Sequence, residues 1–186
     1  MFRTRAAATG IALAMSIGGA TAALAPAALA SSSGHVATVK SGGQFNTWAA
    51  AQKSAGFKLK KPSRQHGLKL SSTINVTGCT LAGKPKKRVV DAQYGKIKTG
   101  FLAVTQNNSG GLCSNLGGAK KLGTVKLFGV TGHMYGICGK KGLVSCSSKK
   151  AEFILTWKKG SIFYNTSSEF ETRATLVDFS KSLKNV

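Results

Sequence analysis

From residue 57 to residue 164 the chain is a succession of short apolar runs broken by glycine, proline or basic turns, with no long helical periodicity between them. That pattern restricts the fold severely. Parallel strands need crossovers of about a dozen residues or more, usually helical, so runs this closely spaced pair antiparallel. The clearest pair is 153–157 (FILTW) with 162–164 (IFY), joined by 158–161 (KKGS), whose glycine can supply the positive φ of a tight turn. Further strands are expected at 57–60, stopping at Pro62, and at 68–76, 88–94, 100–106, 122–130 and 133–138, the last two flanking a turn at Thr131 and Gly132. The expectation is an α+β domain whose antiparallel sheet has about seven or eight strands.

Two helices complete it, one at each end. Asn46 or Thr47 can cap a short helix with Trp48, Ala51 and Ala55 on its inner face, and Gly56 stands where a left-handed C-terminal residue is wanted. Trp48 therefore reads as a core anchor. From Thr175 onward Leu176, Phe179 and Leu183 mark one face of a closing helix that packs across the sheet.

Several ordered stretches carry a resemblance: Thr47 and Trp48 through Ala55, Gly56, Phe57 and Pro62; Tyr94 and Gly95 before 101–106 (FLAVTQ); 123–129 (GTVKLFG); and Leu155 to Trp157 through Tyr164 to Ser182 and Leu183. Together they resemble a bacterial secreted domain family of unknown function, also found at the extracytoplasmic end of some anti-sigma-factor and sporulation-associated membrane proteins. The resemblance implies an antiparallel sheet flanked by helices and brings no catalytic residues. It does not explain the lysine content of this chain.

Arg3 and Arg5, an Ala-rich apolar run from residue 6 to 25, Pro26 and the small-residue site Ala28-Leu29-Ala30 form the three-part pattern of a secretory signal peptide. Cleavage after Ala30 is expected, leaving no transmembrane segment, and a secreted or extracytoplasmic, wall-associated location follows. Residues 31–43 read as a flexible Ser/Gly-rich lead and 44–186 as one domain. In an exported chain Cys79, Cys113, Cys138 and Cys146 argue for two disulfides. Three pairings are possible. The favoured one joins Cys138 to Cys146, clipping 139–142 (GKKG), and Cys79 to Cys113, tying a strand end to a loop.

Charge is the feature with the fewest structural excuses. The chain has 27 Lys and Arg against 5 Asp and Glu, a formal charge of +22. Residues 1–30 hold two basic residues and no acidic one, so the mature domain carries +20. Lysine pairs recur at 60–61, 86–87, 120–121, 140–141, 149–150 and 158–159, mostly in expected turns. The candidate polyanion-binding residues are Lys84, Lys86, Lys87 and Arg88, the densest cluster, with Lys120, Lys121, Lys140, Lys141, Lys158 and Lys159. Lysines in turns also blunt sheet edges, which accounts for their positions but not for their excess.

Chemistry is sparsely signalled. His133 is the one plausible general base, and a nuclease-like arrangement would need it beside Glu152 and a lysine. No nucleophile elbow or phosphate loop is present, no cysteine pair has metal-ligand spacing, and five acidic residues leave little for glycosidase or calcium chemistry. No cofactor is expected, and neither is sequence-specific nucleic-acid binding. The leading expectation is a non-catalytic, envelope-associated cationic protein whose partners are anionic cell-wall polymers or lipid headgroups. The alternatives are a carrier or sensor of a hydrophobic ligand, with a pocket lined by Phe101, Phe128, Phe153 and Phe163, and a secreted nuclease.

Overall fold

The computed structural model describes residues 42–79, 87–113, 116, 118–137 and 151–186. Eight strands form one antiparallel sheet: β1 (Gly43–Phe45), β3 (Ile74–Cys79), β4 (Lys87–Lys96), β5 (Gly100–Asn107), β9 (Ile162–Glu169), β8 (Glu152–Lys159), β7 (Val130–Ile137) and β6 (Lys120–Leu127), in that spatial order. A separate two-stranded ribbon pairs β2 (Lys60–Pro62) with β10 (Leu183–Asn185). The helices are α1 (Trp48–Ala55) and α2 (Arg173–Lys181). The α+β class and antiparallel sheet read from the sequence are what the structure has, with short β1 and β10 as additions too brief to carry a periodic signal.

Both helices cover one face. Ile74, Val76, Val90, Ala92, Tyr94, Leu102, Val104, Tyr164, Phe153, Leu155, Trp157 and Met134 alternate inward along their strands and meet Ala51 and Ala55 of α1 and Leu176 and Phe179 of α2. Thr47 caps α1, its hydroxyl accepting from the Ala50 amide at 3.2 Å, and Gly56 ends the helix in the left-handed region at φ 74°. Trp48 is half-buried and its indole N–H donates to the Tyr94 hydroxyl at 3.1 Å, an anchoring contact between α1 and β4. At α2, the Ser180 hydroxyl gives to the Leu176 carbonyl at 2.7 Å and lies 2.6 Å from the Thr166 hydroxyl of β9. The aromatic layer is tight: Tyr94 meets Phe179 edge-on at 5.8 Å, and Trp157 stacks on Tyr164 at 5.1 Å.

Several boundaries differ from the sequence expectation. The strand expected at 68–76 is β3 at Ile74–Cys79, preceded only by a bridge from Leu70 to Tyr94. Gly43 of the expected lead opens β1, and β8 runs on through Lys159, so that its turn is shorter than 158–161. Three further differences have a visible cause. The hairpin between β6 and β7 turns at Phe128 and Gly129, both at positive φ (51° and 81°), and not at Thr131 and Gly132. Gly132 is a packing glycine: a Cβ there would stand 3.1 Å from Leu127 Cδ1 and 3.2 Å from Leu155 Cδ1, so the filled core excludes a side chain. The first expected strand starts later, at Lys60, and runs through Pro62, because β10 captures it. Leu183 is likewise in β10 rather than on α2, since the Ser182 carbonyl accepts from the Ser63 amide (3.1 Å) and hydroxyl (2.8 Å) and its hydroxyl from the Arg64 amide (3.2 Å). It stays buried, completing the core from a strand.

The opposite sheet face carries a polar row that crosses all eight strands in register: Gln44, Asn75, Asp91, Thr105, Asn165, Thr156, His133 and Thr124. At one margin of this face Cys79 of β3 is bonded to Cys113, so a strand end is tied to the loop after β5. Cys138 and Cys146 lie outside the described residues, and their expected bond with them. No described helix is long and apolar enough to cross a membrane.

Candidate functional site

Phe128, in the turn between β6 and β7, gathers two lysines around one ring. A two-residue hairpin loop with positive φ at both positions favours Asn-Gly, and a phenylalanine held there costs about 1 to 3 kcal/mol of backbone strain. The ring is put to use. It packs on Trp157 at 6.3 Å between centroids, while the ammonium groups of Lys60 and Lys159 lie 5.4 and 5.6 Å from its centroid, within cation–π range. Lys159 also donates to the Phe128 carbonyl at 2.9 Å, and Lys60 to the Asn185 side-chain oxygen at 3.1 Å.

The ribbon of β2 and β10 is fastened beside this turn by one buried side chain. Gln106 of β5, with no accessible surface, accepts from the Lys60 amide at 2.8 Å and donates to the Lys60 carbonyl at 2.6 Å. Satisfying both backbone groups of Lys60 fixes the height of the ribbon against the sheet. In the ribbon Lys61 stands directly opposite Lys184, both exposed. Like charges facing across strands repel. Among the described residues none of Lys60, Lys61, Lys159 and Lys184 forms an ion pair; the described pairs join Arg64 (2.8 Å) and His66 (3.1 Å) to Asp178. The lysines thus form two neighbouring pairs on opposite faces of the ribbon, Lys61 with Lys184 and Lys60 with Lys159, neither with a described Asp or Glu partner, which suits a polymeric or surface anion.

The lysines singled out in the sequence do not form one site. Lys158 and Lys159 end β8, next to Phe128; Lys120 and Lys121 begin β6, at the other end of the strands. Lys87 and Arg88 open β4, five strand spacings from β6, roughly 24 Å away. Lys84, Lys86, Lys140 and Lys141 lie outside the described residues. Lys60, Lys61 and Lys184 were missed as site residues. The pair at 60–61 is visible in the sequence, but only the pairing of β2 with β10 sets Lys184 against it.

The structure does not bring His133 and Glu152 together. His133 faces Thr156 across β7 and β8, whereas Glu152 faces Ile137, four residues further along, roughly 13 Å away. The buried Nδ1 of His133 has no hydrogen-bond partner, and the described residues hold no cluster of metal ligands. Phe101, Phe128, Phe153 and Phe163 line no common cavity either: Phe153 is buried under α2, Phe101 and Phe163 belong to the opposite face, and Phe128 sits in its turn. No protein-family model matches the chain, and neither does a curated protein or a solved structure.

Proposed function

We propose that this is a non-catalytic, exported, envelope-associated protein that holds anionic polymers or anionic lipid surfaces, and that the lysines around Phe128 are its principal contact. The observation that carries the reading is the unpaired juxtaposition of Lys61 with Lys184 beside Lys60 and Lys159, on a chain whose formal charge is +22. A repulsive arrangement of this kind lowers the free energy of any complex in which phosphates or carboxylates sit between the lysines. The expected signal peptide and the Cys79–Cys113 bond support an encounter outside the cytoplasm, where teichoic-acid phosphates and lipid headgroups would supply the anion. Binding is then insensitive to polymer sequence, with an affinity that falls linearly in log-log form as salt rises.

Co-sedimentation with Gram-positive cell walls, before and after removal of teichoic acids, tests this across a salt series, with anionic vesicles as a second arm. Walls stripped of teichoic acid should lose most of the protein. Changing Lys61, Lys159 and Lys184 together to Gln should reduce the log-log salt slope by about 2 to 3, while Lys120→Gln with Lys121→Gln should change it less. Equal retention on both wall preparations and no binding to vesicles, or retention that ignores salt, overturns the reading.

A further inference from the structure

Strand β6 ends the eight-stranded sheet, so about half of its amides and carbonyls point away from β7. Among the described residues no strand pairs with that edge; α2 runs beside it, and between them lies an open groove of about 460 Å³. Four consecutive β6 residues, 122–125, line it. The groove lies on the α2 side of the sheet, at the margin where β6 is the last strand, and it touches a continuous run of that strand's length. The other wall is a stripe of α2 formed by Ala174, Val177 and Lys181, with Met134 as floor. Leu122, Val125 and Val177 are half-buried apolar residues at the rim of the core, left partly uncovered there.

We infer that this groove receives an extended segment of another protein, of alternating apolar and acidic residues, which adds to β6 as a ninth strand. An edge strand lying beside a helix is the arrangement that peptide-recognition domains use for strand addition: backbone hydrogen bonds supply affinity, and pockets for alternate side chains supply selectivity. One set of ligand side chains would rest on Ala174, Val177 and Val125. The other set lies on the opposite face, where Lys121 and Lys126 stand on either side of Thr124, while Lys181 adds a cation on the helix side; all three lysines are exposed. Asp178 also lines the groove, but Arg64 and His66 already engage it at 2.8 and 3.1 Å. A second copy of this chain is a poor occupant, since pairing β6 with itself would set these lysines against one another. The bulge between Lys121 and Gly123, with Gly123 at φ 143°, interrupts the edge and leaves 123–127 as a short pairing stretch. Such a stretch fits a peptide and obstructs run-on sheet growth. The inference concerns a different surface from the lysines around Phe128, so either can fail alone.

The probe is a fluorescent peptide of alternating valine and glutamate, titrated into the mature protein at near-physiological salt. Two controls accompany it: the same peptide N-methylated at alternate residues, which loses ladder donors at constant charge, and polyglutamate of equal charge. The plain peptide should bind about tenfold or more tighter than either control, and amide hydrogen exchange over 123–127 should slow when it binds. Ala174→Glu, at an exposed helix position, should weaken binding by about tenfold or more with the melting temperature unchanged. Indifference to N-methylation, equal affinity for polyglutamate, or full binding by Ala174→Glu overturns the inference. So does a dimer of the free protein whose 123–127 amides are already protected, or protection of those amides by an alkyl phosphate and not by the peptide.

Discussion

Asp91 sits in the middle of the polar row, on β4, where burial pushes its carboxyl up from 3.8 to about 6, against the opposing effect of the Thr105 hydroxyl that donates to it at 2.6 Å. Some of its surface is still accessible. Water therefore screens part of the penalty, and about 1 to 2 kcal/mol is the appropriate scale. Between pH 4 and 6 the folded carboxyl keeps a proton that the unfolded chain has released, so stability is full below that window and falls as pH rises through it. Asp91→Asn keeps an oxygen to accept from Thr105 and removes the titration. Its unfolding free energy, from denaturant melts, should be flat across this window and exceed the wild type by about 1 to 2 kcal/mol at pH 7. An unchanged slope would assign the pH dependence to other groups. Nothing in 88–94 marks Asp91 as unusual. Its environment comes from the cross-strand neighbours Asn75 and Thr105, which are distant in sequence.

Among the elements, the ribbon of β2 and β10 depends most on a single contact. Leu59 is fully buried and Leu183 nearly so, yet the ribbon's register against the sheet rests on the two hydrogen bonds exchanged between the Gln106 side chain and the Lys60 backbone. Gln106→Leu would leave an amide and a carbonyl unpaired at a cost of about 1 to 3 kcal/mol each. Global stability should therefore drop by about 2 to 6 kcal/mol. The amides of 60–62 and 183–185 should lose exchange protection before the rest of the sheet, and the salt slope of polyanion binding should fall with them. A variant that melts uniformly, with the ribbon as protected as the sheet, would show that Leu59 and Leu183 alone hold it. A glutamine in 101–106 (FLAVTQ) reads as the polar end of a strand, and its actual role required knowing that residues 60 and 106 are neighbours. Phe128 was hidden in the same way: a phenylalanine flanked by strand residues looks like strand, and its left-handed turn follows from a register in which Leu127 and Met134 both face the core.

For the molecule as a whole, two large effects oppose each other. A formal charge of +22 disfavours the compact state, and the Cys79–Cys113 bond, closing 34 residues, disfavours the unfolded one by about 4 kcal/mol in the chain-entropy account. Cys79→Ser with Cys113→Ser should lose about that much, and a larger share of the loss should be recovered by added salt than in wild type, because screening relieves the repulsion the crosslink offsets. A double variant as stable as wild type at low salt would show that the crosslink does not carry this load. The sequence by itself left three disulfide pairings and two N-cap residues open, whereas it determined the α+β class, the antiparallel pairing, the approximate places of both helices, the glycine that ends α1 and the cationic excess. These are local or compositional properties, set by side-chain period, turn chemistry and counts of charge. Only the tertiary structure decided which lysines become neighbours, which glycine turns and which one packs, where Leu183 lies, and that β6 is the last described strand of the sheet beside α2. Each of these is a pairing between distant segments, and the free energy that selects it comes from core packing and buried hydrogen bonds rather than from any local preference of the residues involved.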